Sequence, residues 1–252
     1  MCTVVILRRP GDKWPVVVGA NRDEKVDRPW EAPGRHWPDR ENVVAGIDLL
    51  AKGSWMGLND EGVIACVLNR HNSLGPDPTR RSRGEIVLEA LDHVDACEAA
   101  ESLASLEGRN YRPFNLVVAD NRDAFWLKND TYENKGVVEI RKIPEGLSII
   151  TSHDLNDARS GRIAFYAPLF MAACPPDIEN GDWSNWKQLM ASRKFKKGMH
   201  PGEAMLIVSD TGFGTVSSSL LALPSIESRA TKPVWLFSNG PPDQSSYEQI
   251  VF

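Results

Sequence analysis

The second residue of the chain is a cysteine that directly follows the initiator methionine. Its side chain is small enough for Met1 to be removed, which would leave Cys2 with both a thiol and a free α-amine. The ordinary pKa values of these two groups are about 8.5 and about 8. An amine a few ångströms from the sulfur can act as its general base, so one residue would supply both nucleophile and base. We therefore consider Cys2 a candidate nucleophile; the alternative is a buried small residue at the start of a strand.

A polar tetrapeptide is predicted to lie beside this cysteine. Residues 3–7 and 14–20 are apolar runs on either side of a Pro-Gly turn, a pattern that predicts an antiparallel hairpin. Pairing about the turn brings Cys2 opposite residues 20–22, although a slip of one residue would exchange the facing side chains. A carboxylate of this tetrapeptide could then hold the α-amine, and Arg22 could lower the thiol pKa. A solvated strand end is the other interpretation.

Two more polar residues follow apolar strand-like runs. Asn69 ends the run 63–68, where a turn residue would be ordinary, but an asparagine amide can also donate to a developing oxyanion. His153 follows the run 147–151 and is either a structural histidine or an aid to the same chemistry. We expect the substrate to contact a second set of residues: Asn21, Glu24, Trp55 and Arg70.

Composition and charge narrow the function classes. The chain has 252 residues and a net charge of −5, which argues against a general nucleic-acid binder. No apolar run approaches the roughly 18 residues of a membrane span. The apolar segment at residues 4–7 is followed by two arginines and is too short for a signal peptide. These features predict a cytoplasmic protein with no integral membrane association.

The cysteine and histidine pattern indicates neither a metal site nor a cofactor site. Cys2, Cys66, Cys97 and Cys174 form no C-x-x-C pair and have no accompanying histidine pattern, so reduced thiols are expected. There is no H-E-x-x-H, no P-loop and no complete dinucleotide-binding glycine motif. The expected partner is therefore a small molecule, with no metal and no cofactor.

The order of predicted elements is strands, helices, strands, helices and strands. The first strands are apolar on successive residues, which indicates that both faces of their sheet are covered. Residues 82–85 form a capping-box pattern ahead of a predicted helix. Residues 25–53 are predicted as an irregular loop with a short strand at 43–47, and residues 205–208 and 250–252 as strands. We predict an α+β protein of two antiparallel sheets with outer helices, in four αββα layers, forming one domain over residues 1–252.

The first ninety residues carry a family resemblance. The Asn21-Arg22-Asp23-Glu24 tetrapeptide after the Met-Cys-Thr opening resembles the NRDE family, which is also called the transport and Golgi organisation protein family. Further matches follow in the family's order: Ala45-Gly46-Ile47-Asp48, residues 53–59, Leu68-Asn69 and Ser82-Arg83-Gly84-Glu85. Beyond residue 90 the chain departs from the family, with Ser152-His153 in place of Ser-Asn and Val216 in place of an arginine.

The chain is more distantly similar to the bile-salt hydrolases and penicillin V acylases, which are N-terminal nucleophile enzymes. This similarity implies the αββα fold, the catalytic cysteine at Cys2, the amine-holding aspartate at Asp23 and the oxyanion-binding asparagine at Asn69. The arginine of that group falls on Ala20 here, and Arg22 could stand in for it from a shifted position.

Two function hypotheses follow. The first is an N-terminal cysteine hydrolase of a linear, non-peptide amide or related acyl compound, with Cys2, Asp23, Asn69, Arg22 and His153 as its catalytic set. The second is a non-catalytic intracellular carrier that holds haem or an acyl-lipid in the same fold. The carrier hypothesis is favoured by the departures at 20, 153 and 216, and by the association of eukaryotic family members with Golgi organisation, lipid handling and haem trafficking.

Overall fold

A computed structural model describes residues 2–75, 77–130, 136–228 and 231–252. Its strands are β1 Thr3–Arg8, β2 Val16–Lys25, β3 Trp30–Gly34, β4 Val43–Asp48, β5 Met56–Asn59, β6 Ile64–Asn69, β7 Phe114–Ala119, β8 Ala124–Asn129, β9 Val138–Lys142, β10 Gly146–Ile150, β11 Phe213–Leu223, β12 Val234–Ser238 and β13 Tyr247–Gln249. Its α-helices are α1 Arg83–Leu91, α2 Ala96–Ala104, α3 Gly161–Ala172 and α4 Ser184–Met190.

The described residues form two compact units. The first unit comprises the residues up to 28 together with residues 144–251, and the second comprises residues 29–143. The prediction that residues 1–252 form a single domain stays a prediction.

The first unit contains an antiparallel sheet with the strand order β10-β1-β2-β11-β12-β13. Helices α3 and α4 cover one face of this sheet, where Tyr166 and Trp186 pack against Val5, Val17 and Leu220. The opposite face of the same strands is also buried, with Val4 and Val18 both about 1% exposed. Burial of both faces explains why the strands are apolar on successive residues, as the sequence predicts.

The second unit contains an antiparallel sheet with the order β3-β4-β5-β6-β7-β8-β9. Helices α1 and α2 pack on one face of it, with Leu91 and Leu103 against Leu116 and Leu127. None of the described helices has the length and apolar character needed to cross a bilayer.

The start of α1 confirms the predicted cap and shows why two glycines lie near it. Ser82 is the N-cap, and its hydroxyl accepts a hydrogen bond from the Gly84 backbone N–H. Glu85 does not complete the capping box, because its carboxylate pairs with Arg81. A Cβ atom on Gly53 would lie 2.5 Å from the Gly84 carbonyl carbon, so this close backbone contact excludes a side chain.

Three predicted segments differ from the structure. Residues 30–34 form strand β3 instead of a loop, and β3 tolerates Pro33 because it is an edge strand with an irregular register. Residues 205–208 are not a strand, because Ile207 bonds to both the backbone and the hydroxyl of Thr215 instead of forming a ladder. The last strand is β13 at Tyr247–Gln249, which lies before the predicted 250–252.

Candidate functional site

The β1–β2 hairpin positions Cys2. Its register pairs Thr3 with Asn21 and Arg8 with Val16, so one further residue brings Cys2 opposite Arg22. This confirms the predicted pairing of Cys2 with residues 20–22. The Cys2 Sγ atom lies 3.4 Å from the backbone nitrogen of Asp23 and 3.6 Å from its carbonyl oxygen. Met1, whose removal the sequence predicts, lies outside the described residues.

The Asp23 carboxylate is fully buried, and two elements of the same unit contact it. The Thr215 hydroxyl from β11 donates to Oδ1 at 2.6 Å. The Arg162 guanidinium from α3 lies with Nη1 3.3 Å from Oδ2, and the two side chains of this ion pair are 2% and 0% exposed. A buried carboxylate requires such compensation, since an uncompensated buried charge is strongly unfavourable.

Arg162 is the residue of this site that sequence reasoning missed. Its Nη1 also donates to the Thr3 hydroxyl, and its Nη2 donates to the Gly202 carbonyl at 2.8 Å. Its backbone N–H donates to Glu203 Oε2 at 2.7 Å. Ser160 caps the helix and marks its start, but nothing in the local sequence separates Arg162 from a surface arginine at a helix N-terminus.

A β-bulge places Thr215 at the carboxylate. The β2–β11 register pairs Thr215 with Asp23 and Ser217 with Arg22, so Val216 is the extra residue between them. The Thr215 hydroxyl accepts from the Ile207 backbone N–H at 2.9 Å while it donates to Asp23. Together, these two hydrogen bonds orient the Thr215 hydroxyl so that its hydrogen points toward the Asp23 carboxylate.

The pKa of the Cys2 thiol is raised, first by burial and then by the negative charge of Asp23. The hydrogen bond from the Asp23 backbone and the positive charge of Arg22 act in the opposite direction. The raising effects are larger, so the folded protein disfavours the thiolate of Cys2. Such a thiol needs a base at the moment of attack, since the thiolate is the nucleophile.

Asn21 and Glu24 make contacts away from the Cys2 sulfur. Asn21 is paired with Thr3, whose side chain lies on the opposite face of the sheet from that of Cys2 because side chains alternate along a strand. The Asn21 amide donates to the carbonyls of Met190 and Met205 at 2.9 and 3.0 Å. Glu24 accepts from the Lys25 backbone N–H and lies 3.9 Å from Arg28. The predicted substrate-binding role of Asn21 and Glu24 stays a prediction.

The end of β10 brings Ser152 and His153 near the start of β1. Val4 pairs with Ile150, the last residue of β10, so Ser152 and His153 follow shortly after the end of the strand that lies beside β1. Ser152 is about 1% exposed, and its hydroxyl hydrogen-bonds to no residue that the structure describes. His153 is half-buried, and its backbone N–H donates to the Thr151 hydroxyl at 3.3 Å.

The remaining predicted site residues belong to the second unit. Asn69 is half-buried at the end of β6 and pairs with Phe114. Arg70 donates to Asn115 Oδ1 at 2.7 Å and forms an ion pair with Asp130 at 3.3 Å. Their roles as oxyanion donor and substrate ligand stay predictions.

Trp55, the last predicted site residue of this unit, packs against Trp30 with ring centroids 5.6 Å apart. Its indole lies so close to Gly46 that a Cβ there would be 2.3 Å away. Both contacts are those of a packed aromatic side chain, and the predicted contact with substrate stays untested.

Within the part of the chain that the structure describes, no three His, Cys, Asp or Glu side chains lie together in a way that could hold a metal ion.

Three solved structures resemble the chain in fold. The Caenorhabditis elegans ortholog of N-acylethanolamine-hydrolyzing acid amidase aligns with a TM-score of 0.60 at 11% identity, covering 99% of this chain and 100% of that one. Penicillin V acylase from Agrobacterium tumefaciens aligns with a TM-score of 0.52 at 15% identity, covering 94% and 83%. The mutant C2A of conjugated bile acid hydrolase from Clostridium perfringens gives 0.52 at 10% identity, covering 100% and 97%. With its two antiparallel sheets, the chain therefore has the predicted N-terminal nucleophile hydrolase fold.

Sequence comparison identifies closer relatives. The Transport and Golgi organization 2 homolog of Mus musculus is 28% identical over 174 residues, covering 66% of this chain and 60% of that protein. The Homo sapiens homolog is 32% identical over 139 residues, covering 51% and 48%. The chain thus spans about half to three-fifths of the length of these relatives. A family model described as Transport and Golgi organisation 2 matches residues 1–193. The chain belongs to the Transport and Golgi organisation 2 family.

Proposed function

We propose that the protein is an N-terminal cysteine hydrolase that cleaves a linear, non-peptide amide or a related acyl compound. The observation that carries the proposal is the position of Cys2, whose Sγ lies 3.4 Å from the backbone nitrogen of Asp23, a residue whose carboxylate is buried in an ion pair. The names of the three proteins with a similar fold, an amidase, an acylase and a conjugated bile acid hydrolase, support the same reaction class.

The proposed reaction begins after removal of Met1. The thiol proton of Cys2 passes to its own α-amine, and the sulfur bonds to the carbonyl carbon of the substrate. The C–N bond then breaks as the leaving amine takes the proton, and an acyl thioester remains on the sulfur. Water hydrolyses the thioester to a carboxylic acid and restores the thiol. This route suits a thiol whose pKa is raised, because the base that deprotonates it is held on the same residue.

Arg22 and Asp23 have separate roles in this proposal. Arg22 lies opposite Cys2 in the extended register, and its positive charge favours the thiolate that forms during attack. The Asp23 carboxylate orients the α-amine. Asn69 and His153 stay the proposed oxyanion donors, to be tested by substitution with alanine.

The first experiment compares intact protein with a Cys2→Ala variant. Mass spectrometry of the purified protein should give the mass of a chain that begins at Cys2. Incubation with a panel of N-acyl amides and acyl thioesters should give an acyl adduct in the wild type only, with release of free amine from the amides and of free thiol from the thioesters. An intact Met1, or equal turnover by Cys2→Ala, would contradict the hydrolase proposal.

The alternative is a carrier of haem or an acyl-lipid. Two observations favour it: Val216 stands at the bulge where the family has an arginine, and it is buried at 7% exposure. Titration of wild type and Cys2→Ala with haemin and with acyl-CoA tests this function. Equal, saturable binding by both proteins with no turnover would make the carrier the correct function.

A further inference from the structure

A buried arginine supports the Cys2 site from the helix side of the first unit. Arg162 is 2% exposed and makes an ion pair with Asp23, whose side chain is 0% exposed. The same Nη1 atom donates to the hydroxyl of Thr3, the residue that follows Cys2. One guanidinium therefore joins β1, which begins at Thr3 directly after Cys2, to β2, which carries Asp23.

Arg162 is itself held in place from the other side. Its Nη2 donates to the Gly202 carbonyl at 2.8 Å, and its backbone N–H donates to Glu203 Oε2 at 2.7 Å. A planar guanidinium held at several of its donors has little freedom to leave the carboxylate. The position of the Asp23 carboxylate is consequently set by α3, together with Thr215 from β11.

The negative charge of Asp23 raises the pKa of the Cys2 thiol, so a cation that balances this charge also affects the thiol. The charged or hydrogen-bonding groups that face Asp23 include Arg162 from α3 and Thr215 from β11. Arg22 from β2 faces the thiol, and Glu203 faces the backbone of Arg162. In a buried region, a cation beside a carboxylate offsets much of the field that the carboxylate exerts on its neighbours.

We propose that Arg162 is a positioning residue of the Cys2 site, which fixes the Asp23 carboxylate and balances its charge so that Cys2 stays reactive. The proposal deepens the proposed function and rests on Cys2 as the nucleophile. The proposal concerns the reactivity of the Cys2 thiol alone, so it can be tested without a substrate.

The test is the rate at which iodoacetamide alkylates Cys2 across a pH series, followed by peptide mass spectrometry. Arg162→Met removes the cation at similar volume and should slow alkylation at neutral pH by about three- to tenfold, because the unbalanced Asp23 charge disfavours the thiolate. Asp23→Asn should speed alkylation. In the double variant Arg162→Met with Asp23→Asn, the slowing caused by Arg162→Met should disappear.

Arg162→Lys serves as the conservative variant, since it keeps the charge and loses the planar fork. It should alkylate within about twofold of wild type if charge balance is the main effect. Cys174, which is exposed, provides an internal reference for the reagent in each sample. If Arg162→Met does not fold, the other two variants test the proposal. Alkylation should still be faster in Asp23→Asn and within about twofold of wild type in Arg162→Lys.

Two results would overturn the proposal. One is an alkylation rate in Arg162→Met equal to wild type, and the other is the same slowing in the Asp23→Asn background. Either result would make Arg162 a purely structural residue. If Arg162→Met slows alkylation of Cys2 but the wild type cleaves no amide, the hydrolase function is rejected and the positioning role stands. If the wild type cleaves amides but Arg162→Met does not change the alkylation rate, the positioning role is rejected and the hydrolase function stands.

Discussion

The side-chain amide of Asn21 donates to the backbone carbonyl of Met190 at 2.9 Å, and this contact joins the centre of a sheet to the end of α4. The same nitrogen donates to the Met205 carbonyl, and Asn21 is about 1% exposed. The first residue of the Asn-Arg-Asp-Glu tetrapeptide thus fastens the segment after α4 to β2.

Asn21→Ala should lower the free energy of unfolding by about 2–3 kcal/mol, because it leaves two buried carbonyls without this donor. Urea denaturation measures the change. Glu24→Gln, at the half-buried end of the same strand, is the matched control and should stay within about 0.5 kcal/mol of wild type. Wild-type stability in Asn21→Ala would instead favour the ligand-binding role predicted from the sequence.

The Cys2 thiol should react more slowly at neutral pH in the folded protein than in the denatured one. Burial and the Asp23 charge raise its pKa, so the folded thiol keeps its proton to higher pH than the ordinary value of about 8.5. The alkylation rate of Cys2 should therefore rise with pH through a midpoint above that value, whereas protein in urea should show the ordinary midpoint. A folded-state midpoint below the urea value would show that the Arg22 charge and the backbone hydrogen bond outweigh burial.

Two buried tyrosines should respond differently to loss of their hydroxyls. The Tyr111 hydroxyl hydrogen-bonds to no described residue, and burial together with the Glu89 charge raises the pKa of Tyr111 to about 12. Tyr111→Phe should leave the free energy of unfolding unchanged or raise it by up to about 1 kcal/mol, because no hydrogen bond is lost. Absorbance titration should show that Tyr111 does not ionise below pH about 11.

Tyr166 is the matched case. Its hydroxyl lies 2.9 Å from the Ser192 hydroxyl and 2.5 Å from the Lys194 carbonyl. Tyr166→Phe should lower the free energy of unfolding by about 1–2 kcal/mol. Equal effects of the two substitutions in thermal or urea unfolding would contradict the assignment of these hydrogen bonds.

Gly53→Ala should be strongly destabilising. Its Cβ would lie 2.5 Å from the carbonyl carbon of Gly84, and backbone cannot move aside as a side chain can. We expect a loss of about 2–4 kcal/mol in the free energy of unfolding. Gly34→Ala provides the comparison, because its Cβ would meet the His36 ring at 3.3 Å and the Ala32 carbonyl oxygen at 3.9 Å, which is an ordinary van der Waals distance. A loss in Gly53→Ala no larger than in Gly34→Ala would mean that α1 moves away from Gly53 at little cost.

Much of the fold was predictable from local patterns. The β1–β2 hairpin and its pairing of Cys2 with residues 20–22 follow from two apolar runs about one short turn, which allows few registers. The α1 cap followed from a single serine before an apolar periodic run. Strand β3 was missed because Pro33 breaks the strand pattern, and only the edge position in the sheet makes that proline acceptable.

The sequence by itself determined that Cys2 lies beside the polar tetrapeptide at residues 21–24, because the two strands of one short hairpin leave little freedom in where their ends meet. Only the tertiary structure decided what surrounds the Asp23 carboxylate. Arg162 is 139 positions away along the chain and Thr215 is 192 away. Their contacts with Asp23 depend on which helix covers β2 and on a bulge in β11, and these are outcomes of packing that no local spacing of residues encodes.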